Sequence, residues 1–411
     1  MNKTYTYDNI IVGAGAAGLF CGAFSNLPGE TVILEKTKKA GTKLLMSGAG
    51  QCNLTNNRPI KEFIDYYGDK GKKIRSCLYK HSNLEFCEKT EALGVPLFTR
   101  EDGKIFPKSM SARQVLDALL SEIKKKNIEI KYGCSVSQIN AASEGYEVST
   151  ESGQTFTCKN LIIACGGSSY PTTGSDGSIL KVIERDLQMD IISPRPSLVP
   201  AYIENYPFSD LSGLSICDAA VKIFPGREGK MTASVKGDLL FTHKNLSGPV
   251  IINNSRYMKT GGRLEINFTP DTNSQELESR MKQSFSGNSR SVENWLADNL
   301  NLAKRFAECM ANMCSISGRK VSSLKGDEIK YLCRSLCQST FTISGLGSFK
   351  EAMATAGGVS LKEVNPTTME ARRHPGLYFI GEVLDIDGDT GGYNLQFAYS
   401  SAMVCADNIL K

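Results

Sequence analysis

Residues 7–24 read YDNIIVGAGAAGLFCGAF, an apolar run that enters a glycine turn and continues into a stretch of small and apolar residues. That pattern predicts a buried strand, a tight turn and a closely packed helix. A second apolar run, TVILE at 31–35, predicts a neighbouring strand. Val115, Leu116, Leu119, Leu120 and Ile123 recur at helical spacing, and Lys124, Lys125 and Lys126 read as the solvated end of that helix. Far along the chain, Leu377 to Ile380 predicts another strand, and Gly391-Gly392-Tyr393-Asn394 opens a last helix. Between these ends, Pro194, Pro196 and Pro200 mark a change of direction, and residues 273–315 show helical periodicity with few strand signals.

A chain of 411 residues exceeds one ordinary core, so two or three domains are expected. Hydrophobic residues make up 41% and charged residues 22%, the profile of a soluble globular protein. Net charge is +5 with no long basic block, which gives no support to nucleic-acid binding. No apolar run reaches the length of a membrane span, and the polar N-terminus leads straight into a strand, so a cytoplasmic location is expected. Thirteen scattered cysteines read as small buried hydrophobes in a reducing compartment. Cys309, Cys314, Cys333 and Cys337 lie in helix-like sequence without CxxC knuckles, which argues against a metal site there. The same lack of CxxC argues against a dithiol–disulfide reductase.

The first turn carries chemistry. Gly13 allows the turn, Gly15 lets backbone approach a pyrophosphate, and Gly18 lets the helix pack on the strand, with Ala16 and Ala17 at the helix start. Glu35 ends the second strand 17 residues after Gly18, where a carboxylate accepts the ribose hydroxyls of an adenosine; Lys36 follows it. This is a dinucleotide fingerprint in its proper strand–turn–helix context. The choice between NAD and FAD rests on the other end of the chain. There Gly381 and Glu382 follow a strand, Asp385 lies in an acidic glycine loop, and Gly391, Gly392, Tyr393, Asn394 and Leu395 open the last helix. Such a segment closes an FAD site in flavoproteins of the two-dinucleotide type: a helix N-terminus there stabilises the charge that reduced flavin gains at N1 and the C2 carbonyl.

With both ends in view, the chain resembles the aminoacetone oxidase family of FAD-binding enzymes, the BaiN-like or YhiN-like flavoproteins. The resemblance runs through GAGAAG, GTKLLMSGAGQCNLTNN (41–57), IFPKSMSARQVLDAL (105–119), NLIIACGGSSYPTTGSDGS (160–178), PSLVPA (196–201), GDLLFTHKNLSGP (237–249), TAGGVSLKEVNPTTME (355–370) and GLYFIGEVLDIDGDTGGYNLQFA (376–398). It implies that Lys43, Ser47, Gly48 and Asn53 lie beside the pyrophosphate and flavin, Val136 at the adenine, and Ala164, Gly166 and Gly167 on the adenosine side. Gln51 and Cys165 stand where the family usually has Arg and Thr.

The expected fold is α/β: a Rossmann-like FAD-binding domain of the two-dinucleotide-binding type, 1–192 and 343–411, with a β-rich insertion, 193–272 and 316–342, and a small helical insertion, 273–315. Non-covalent FAD is the expected cofactor and NAD(P)H a transient electron donor. The resemblance implies a small-molecule substrate and two reactions: reduction of an activated C=C bond such as a bile-acid-like enone, or oxidation of a small amine such as aminoacetone by O2. A flavoprotein acting on tRNA, or a non-catalytic FAD binder, are the readings from other classes. Tyr393, beside the flavin-facing backbone, and His243, in FTHKNLSGP, are the candidate proton donors; each also has a plain structural reading, as packing for Tyr393 and as a structural histidine for His243. His81 and His374 read as surface residues.

Overall fold

Four strands run parallel with Val12 beside Leu34 on one side and Ile163 on the other, and Phe379 beside Ile163. This register, in a computed structural model describing residues 4–226, 229–270 and 272–410, brings the carboxyl ends of Thr4–Val12, Thr31–Glu35, Thr155–Ile163 and His374–Phe379 to one edge. Ile10, Ile11, Val32, Ile33, Leu161, Ile162, Leu377 and Phe379 are wholly buried, as expected of parallel strands covered on both faces. Glu129–Tyr132 extends the sheet beside Thr31–Glu35, and the hairpin 136–150 joins it through Thr155–Ile163. The chain divides into two compact units, 1–197 with 349–411, and 198–348.

In the first unit, helix Ala16–Phe24 packs against the C-terminal helix Tyr393–Ile409, which is buried almost continuously from Gln396 to Ala406. Lys124 and Lys125 form the solvated helix end expected of them, but Lys126 has a different role. Lys126 Nζ donates to the carbonyls of Ala23 and Ser25, both at 2.6 Å, and Lys89 donates to that of Phe24 at 3.3 Å. These cations sit at the negative end of the fingerprint helix and satisfy carbonyls that the helix leaves unpaired. Burial lowers the pKa of Lys126, the cost of that placement.

The second unit contains a closed six-stranded barrel, in the order Ala201–Ile203, Leu246–Ser247, Ala233–Phe241, Ser215–Phe224, Arg263–Asn267 and Ser339–Leu346. Phe208, Phe241, Phe268 and Phe306 form one buried ring cluster there, with Phe208 and Phe241 centroids 4.7 Å apart. Helices Ser274–Phe285, Val292–Leu300 and Lys304–Met313 follow, the first opened by an Asn273–Glu276 capping box. β structure was expected again from 316, but a fourth helix, Gly326–Cys337, comes first. Ile329, Leu332, Cys333 and Leu336 form its buried face, and the closing strand begins at Ser339. At the other boundary, Ile191–Ser197 pairs with Ala354–Val359 inside the first unit, so the chain leaves it at 198 rather than 193. Among the described residues no helix is long and apolar enough to cross a membrane.

Candidate cofactor site

Loops 13–15, 164–176 and 381–392 leave the carboxyl edge of the parallel sheet, where open α/β sheets bind their ligands. Gly13 has φ +107°, and a Cβ on it would lie 2.7 Å from the Ala164 carbonyl oxygen. On Gly18 a Cβ would lie 2.0 Å from the Gly13 carbonyl oxygen, so helix and strand touch through backbone. Gly15 is the contrast: the nearest atom to its Cβ position is 4.0 Å away, which leaves that face open to a ligand. Gly13, Gly15 and Ala16 are reachable from outside, whereas Ala17 and Gly18 are buried. This cradle fits the diphosphate of a dinucleotide: open backbone at a helix N-terminus, with the positive end of the helix directed at it.

Glu35 is aimed by backbone. Its two oxygens accept from Ala14 N and Thr37 N, each at 2.8 Å, which fixes the carboxylate between the turn and the strand end. Cys134 N donates to the Glu35 carbonyl, bringing half-buried Val136 to the same side. The loop at Gly174 passes along it, since a Cβ there would be 3.9 Å from Glu35 Oε1. Lys36 turns to Asp176 at 2.6 Å and to Ser178 Oγ at 3.3 Å, so its ammonium is engaged within the protein.

Lys43 joins three loops. Its Nζ donates to Ser169 Oγ and, at 2.7 Å, to Glu382, whose other oxygen accepts from Thr355 N at 2.7 Å. Thr355 Oγ1 accepts from Ser168 N and Ser169 N at 2.8 and 3.0 Å, and a Cβ on Gly167 would strike it. Gly166 lies beside the Glu382 carboxylate, and Ala164 is buried beneath the turn. The segment Ser47–Cys52 is sharply folded: Ser47 Oγ donates to Leu44 O, Cys52 N donates to Ser47 O, and Gly48, Ala49 and Cys52 all have left-handed φ. For Ala49 and Cys52 that conformation is strained, a feature that clusters at ligand sites. Burial raises the Cys52 thiol to about 11, so it stays protonated at neutral pH.

The C-terminal loop is held by side chains as well as by its own backbone. Gly391 is buried, and Gly392 has φ +96° and presses on the Thr55 backbone. In the amide orientation that satisfies its neighbours, Asn53 accepts from Gly392 N at 3.1 Å and donates to Thr55 O at 3.0 Å. Asn394 accepts from Gly388 N and donates to Gly388 O, both at 2.8 Å. Both side chains hold the loop. Asp385 accepts from Gly357 N at 2.8 Å and pairs with Lys70 at 2.5 Å; Gly381 is buried and Leu395 half-buried.

Tyr393 is 2% exposed. Its ring stacks on Tyr66 at 4.1 Å, and its carbonyl accepts from the Tyr67 hydroxyl at 2.7 Å. Burial, reinforced by the Tyr66 phenol, pushes its pKa far above the usual tyrosine range. In this conformation the Tyr393 ring packs among Phe63, Tyr66 and Tyr67. His243 is exposed on the turn Thr242–Asn245 of the barrel unit. His81 is buried rather than on the surface, clamped between Glu85 at 2.9 Å and Asp407 at 3.1 Å. His374 is half-buried and its Nε2 lies 2.9 Å from the Leu187 carbonyl.

Comparison with known proteins agrees with this geometry. The family model described as HI0933-like protein Rossmann domain matches residues 7–408. A ribosomal RNA dihydrouridine synthase of Escherichia coli K12 is 32% identical over 98% of each chain, and one of Haemophilus influenzae Rd is 33% identical over 98% of each. A 3-dehydro-bile acid delta(4,6)-reductase of Clostridium scindens is 30% identical, covering 95% of this chain and 96% of its own. A dinucleotide cradle at the sheet edge, an aimed strand-end carboxylate and a family match over nearly the whole length lead to one assignment: the chain belongs to the HI0933-like family of FAD-binding Rossmann proteins and is an FAD-dependent oxidoreductase.

Proposed function

We propose that the enzyme reduces a carbon–carbon double bond conjugated to a carbonyl group. One observation carries this reading: relatives of nearly equal similarity bear names with unrelated substrates but a single kind of reaction. Dihydrouridine is uridine saturated at C5–C6, a bond conjugated to the C4 carbonyl, and the delta-4 and delta-6 bonds of a 3-dehydro bile acid are conjugated to its 3-oxo group. In each case a hydride enters at a carbon conjugated through the alkene to the carbonyl, and the resulting enolate is protonated at carbon. FAD, when bound, supplies that hydride from N5, and NAD(P)H is the proposed source of its electrons.

In this reading the backbone at Gly13–Ala16 holds the diphosphate, Glu35 accepts the adenosine ribose hydroxyls, and Val136 borders the adenine. Lys43, Glu382 and Asp385 border the ribityl chain. Tyr393 supports the loop, and the proton comes from water. The test is anaerobic reduction of the purified enzyme by NADH or NADPH, followed by a 3-oxo-4,6-diene steroid or an unmodified ribosomal RNA transcript. Reoxidation of the flavin with gain of two hydrogens by either substrate is expected, and the substrate that reacts fixes the class. Failure of both, with peroxide formed from aminoacetone and O2, would replace this reading with amine oxidation.

A further inference from the structure

Segment 60–73, IKEFIDYYGDKGKK, carries no cofactor motif, yet it grips the acidic glycine loop at several points. Tyr66 O accepts from Asp389 N at 2.8 Å, the Tyr67 hydroxyl reaches Tyr393 O, and the Tyr66 ring covers that of Tyr393. The fourth contact is ionic. Lys70 Nζ lies 2.5 Å from Asp385 Oδ1 and 3.5 Å from Asp387 Oδ1, with side-chain exposures of 13%, 15% and 4%. Ser197 Oγ donates to the second oxygen of Asp387 at 2.6 Å, and Gly357 N to Asp385 at 2.8 Å. Two largely buried carboxylates, two residues apart on one loop, therefore share one ammonium delivered from a segment more than three hundred residues away.

We propose that Lys70 is a positioning residue for FAD: its ammonium, shared between the Asp385 and Asp387 carboxylates, offsets their mutual repulsion and holds Asp385 in place to accept from the ribityl chain. This rests on the reading of Asp385 as a cofactor contact. Paired carboxylates in a poorly hydrated loop repel, and without a nearby cation such a pair takes up a proton. Asp389 adds a third acidic group further along the loop, where its charge bears on the Tyr67 and Tyr393 phenols. Asp69, Lys72 and Lys73, on the same segment as Lys70, are exposed to solvent.

The experiment is titration of apoprotein with FAD, by flavin fluorescence, across about pH 5.5 to 8.5, a range in which ordinary carboxylates stay ionised. Wild type should show a nearly constant Kd. Lys70→Met should bind FAD at least about tenfold more weakly at the acid end, with Kd falling by up to about tenfold per pH unit as pH rises, because the proton that the unneutralised pair takes up must leave before Asp385 can accept. Lys70→Arg should restore affinity to within about threefold, since the cation returns. The double variant K70M/D387N should recover pH-independent binding, because the repulsion is gone. A Lys70→Met variant whose Kd is unchanged, or is weakened equally at every pH and not relieved by D387N, overturns the proposal. Asp385→Asn with undiminished affinity overturns the underlying reading of Asp385 as well, whereas a weakened Asp385→Asn beside an unaffected Lys70→Met overturns the role of Lys70 alone.

Discussion

At Gly13–Gly18 the chain makes its cradle from its own backbone: a positive-φ turn, a helix packed directly on the strand, and Glu35 aimed by two N–H groups within reach of the same turn. At Gly388–Asn394 an equally glycine-rich loop is held by side chains from elsewhere. Asn53 takes the Gly392 N–H, Tyr66 and Tyr67 grip the Asp389 and Tyr393 backbone, and Lys70 neutralises the acids. Tolerance to mutation follows from that difference. A turn built from backbone fails at once when a side chain is added. A loop held by several remote side chains should lose stability in steps as each is removed.

The largest effects therefore belong to the first turn. Gly18→Val places a side chain 2.0 Å from a carbonyl oxygen that cannot move without breaking the turn, and the expected loss is about 4 kcal/mol or more, with colourless protein on purification. Yellow protein of normal melting temperature would mean that helix and strand are not in backbone contact. Glu35→Arg removes the acceptor for Ala14 N and Thr37 N together with the ribose contact proposed for it. Charge-assisted bonds are worth roughly 1.5–3 kcal/mol each, so FAD affinity should fall at least about 100-fold, as read by flavin retained after dialysis.

Intermediate effects belong to the second loop. Asn53→Ala leaves the Gly392 N–H at a crowded turn without its acceptor, a loss of about 1–3 kcal/mol. At about 2–4 °C per kcal/mol the melting temperature should drop by roughly 2–12 °C, with flavin still present. Asn394→Ala, which loses two bonds to Gly388, should cost less, about 1–2 kcal/mol, because the half-buried site lets water replace the side chain. If either variant released FAD entirely, the asparagine would be a direct ligand and the contrast between the turns would disappear.

The same contrast governs what the sequence makes legible. The parallel strands, the fingerprint glycines and Glu35 are encoded within one βαβ stretch, so apolar runs and spacing are enough to find them. The helix Gly326–Cys337 is legible too, from the spacing of Ile329, Leu332, Cys333 and Leu336 and from the helix-like sequence around Cys333 and Cys337, even though the expected domain division assigns 316–342 to the β-rich insertion. Lys70, Lys126 and His81 are another matter. Their partners, Asp385, Ala23 and Asp407, lie far away in the chain and meet them only after folding, so each looks like an ordinary surface charge in sequence. Asn53 and Asn394 sit in the right motifs, but which groups their amides face is decided by the packing of Gly392 on Thr55 and the closure of the loop on Gly388.

The smallest expected effect falls on Tyr393, one of the two residues that sequence offers as proton donors. Tyr393 lies beside the glycine pair, and a phenol there suits enolate protonation, but its ring is enclosed by Phe63, Tyr66 and Tyr67. A hydroxyl with almost no accessible surface cannot deliver a proton to a substrate without unstacking from Tyr66, and burial already disfavours its ionised form. Tyr393→Phe keeps the stack and the carbonyl that accepts from Tyr67, so turnover with a conjugated enone should stay within about twofold and stability within about 1 kcal/mol. A loss of turnover near the 100-fold or more typical of removing a general acid, at unchanged flavin content, would show that the stack opens during catalysis. In that event the C-terminal loop would move in the reaction as well as support the cofactor, and the graded tolerance expected of Asn53 and Asn394 variants would have to be measured on kcat instead of melting temperature.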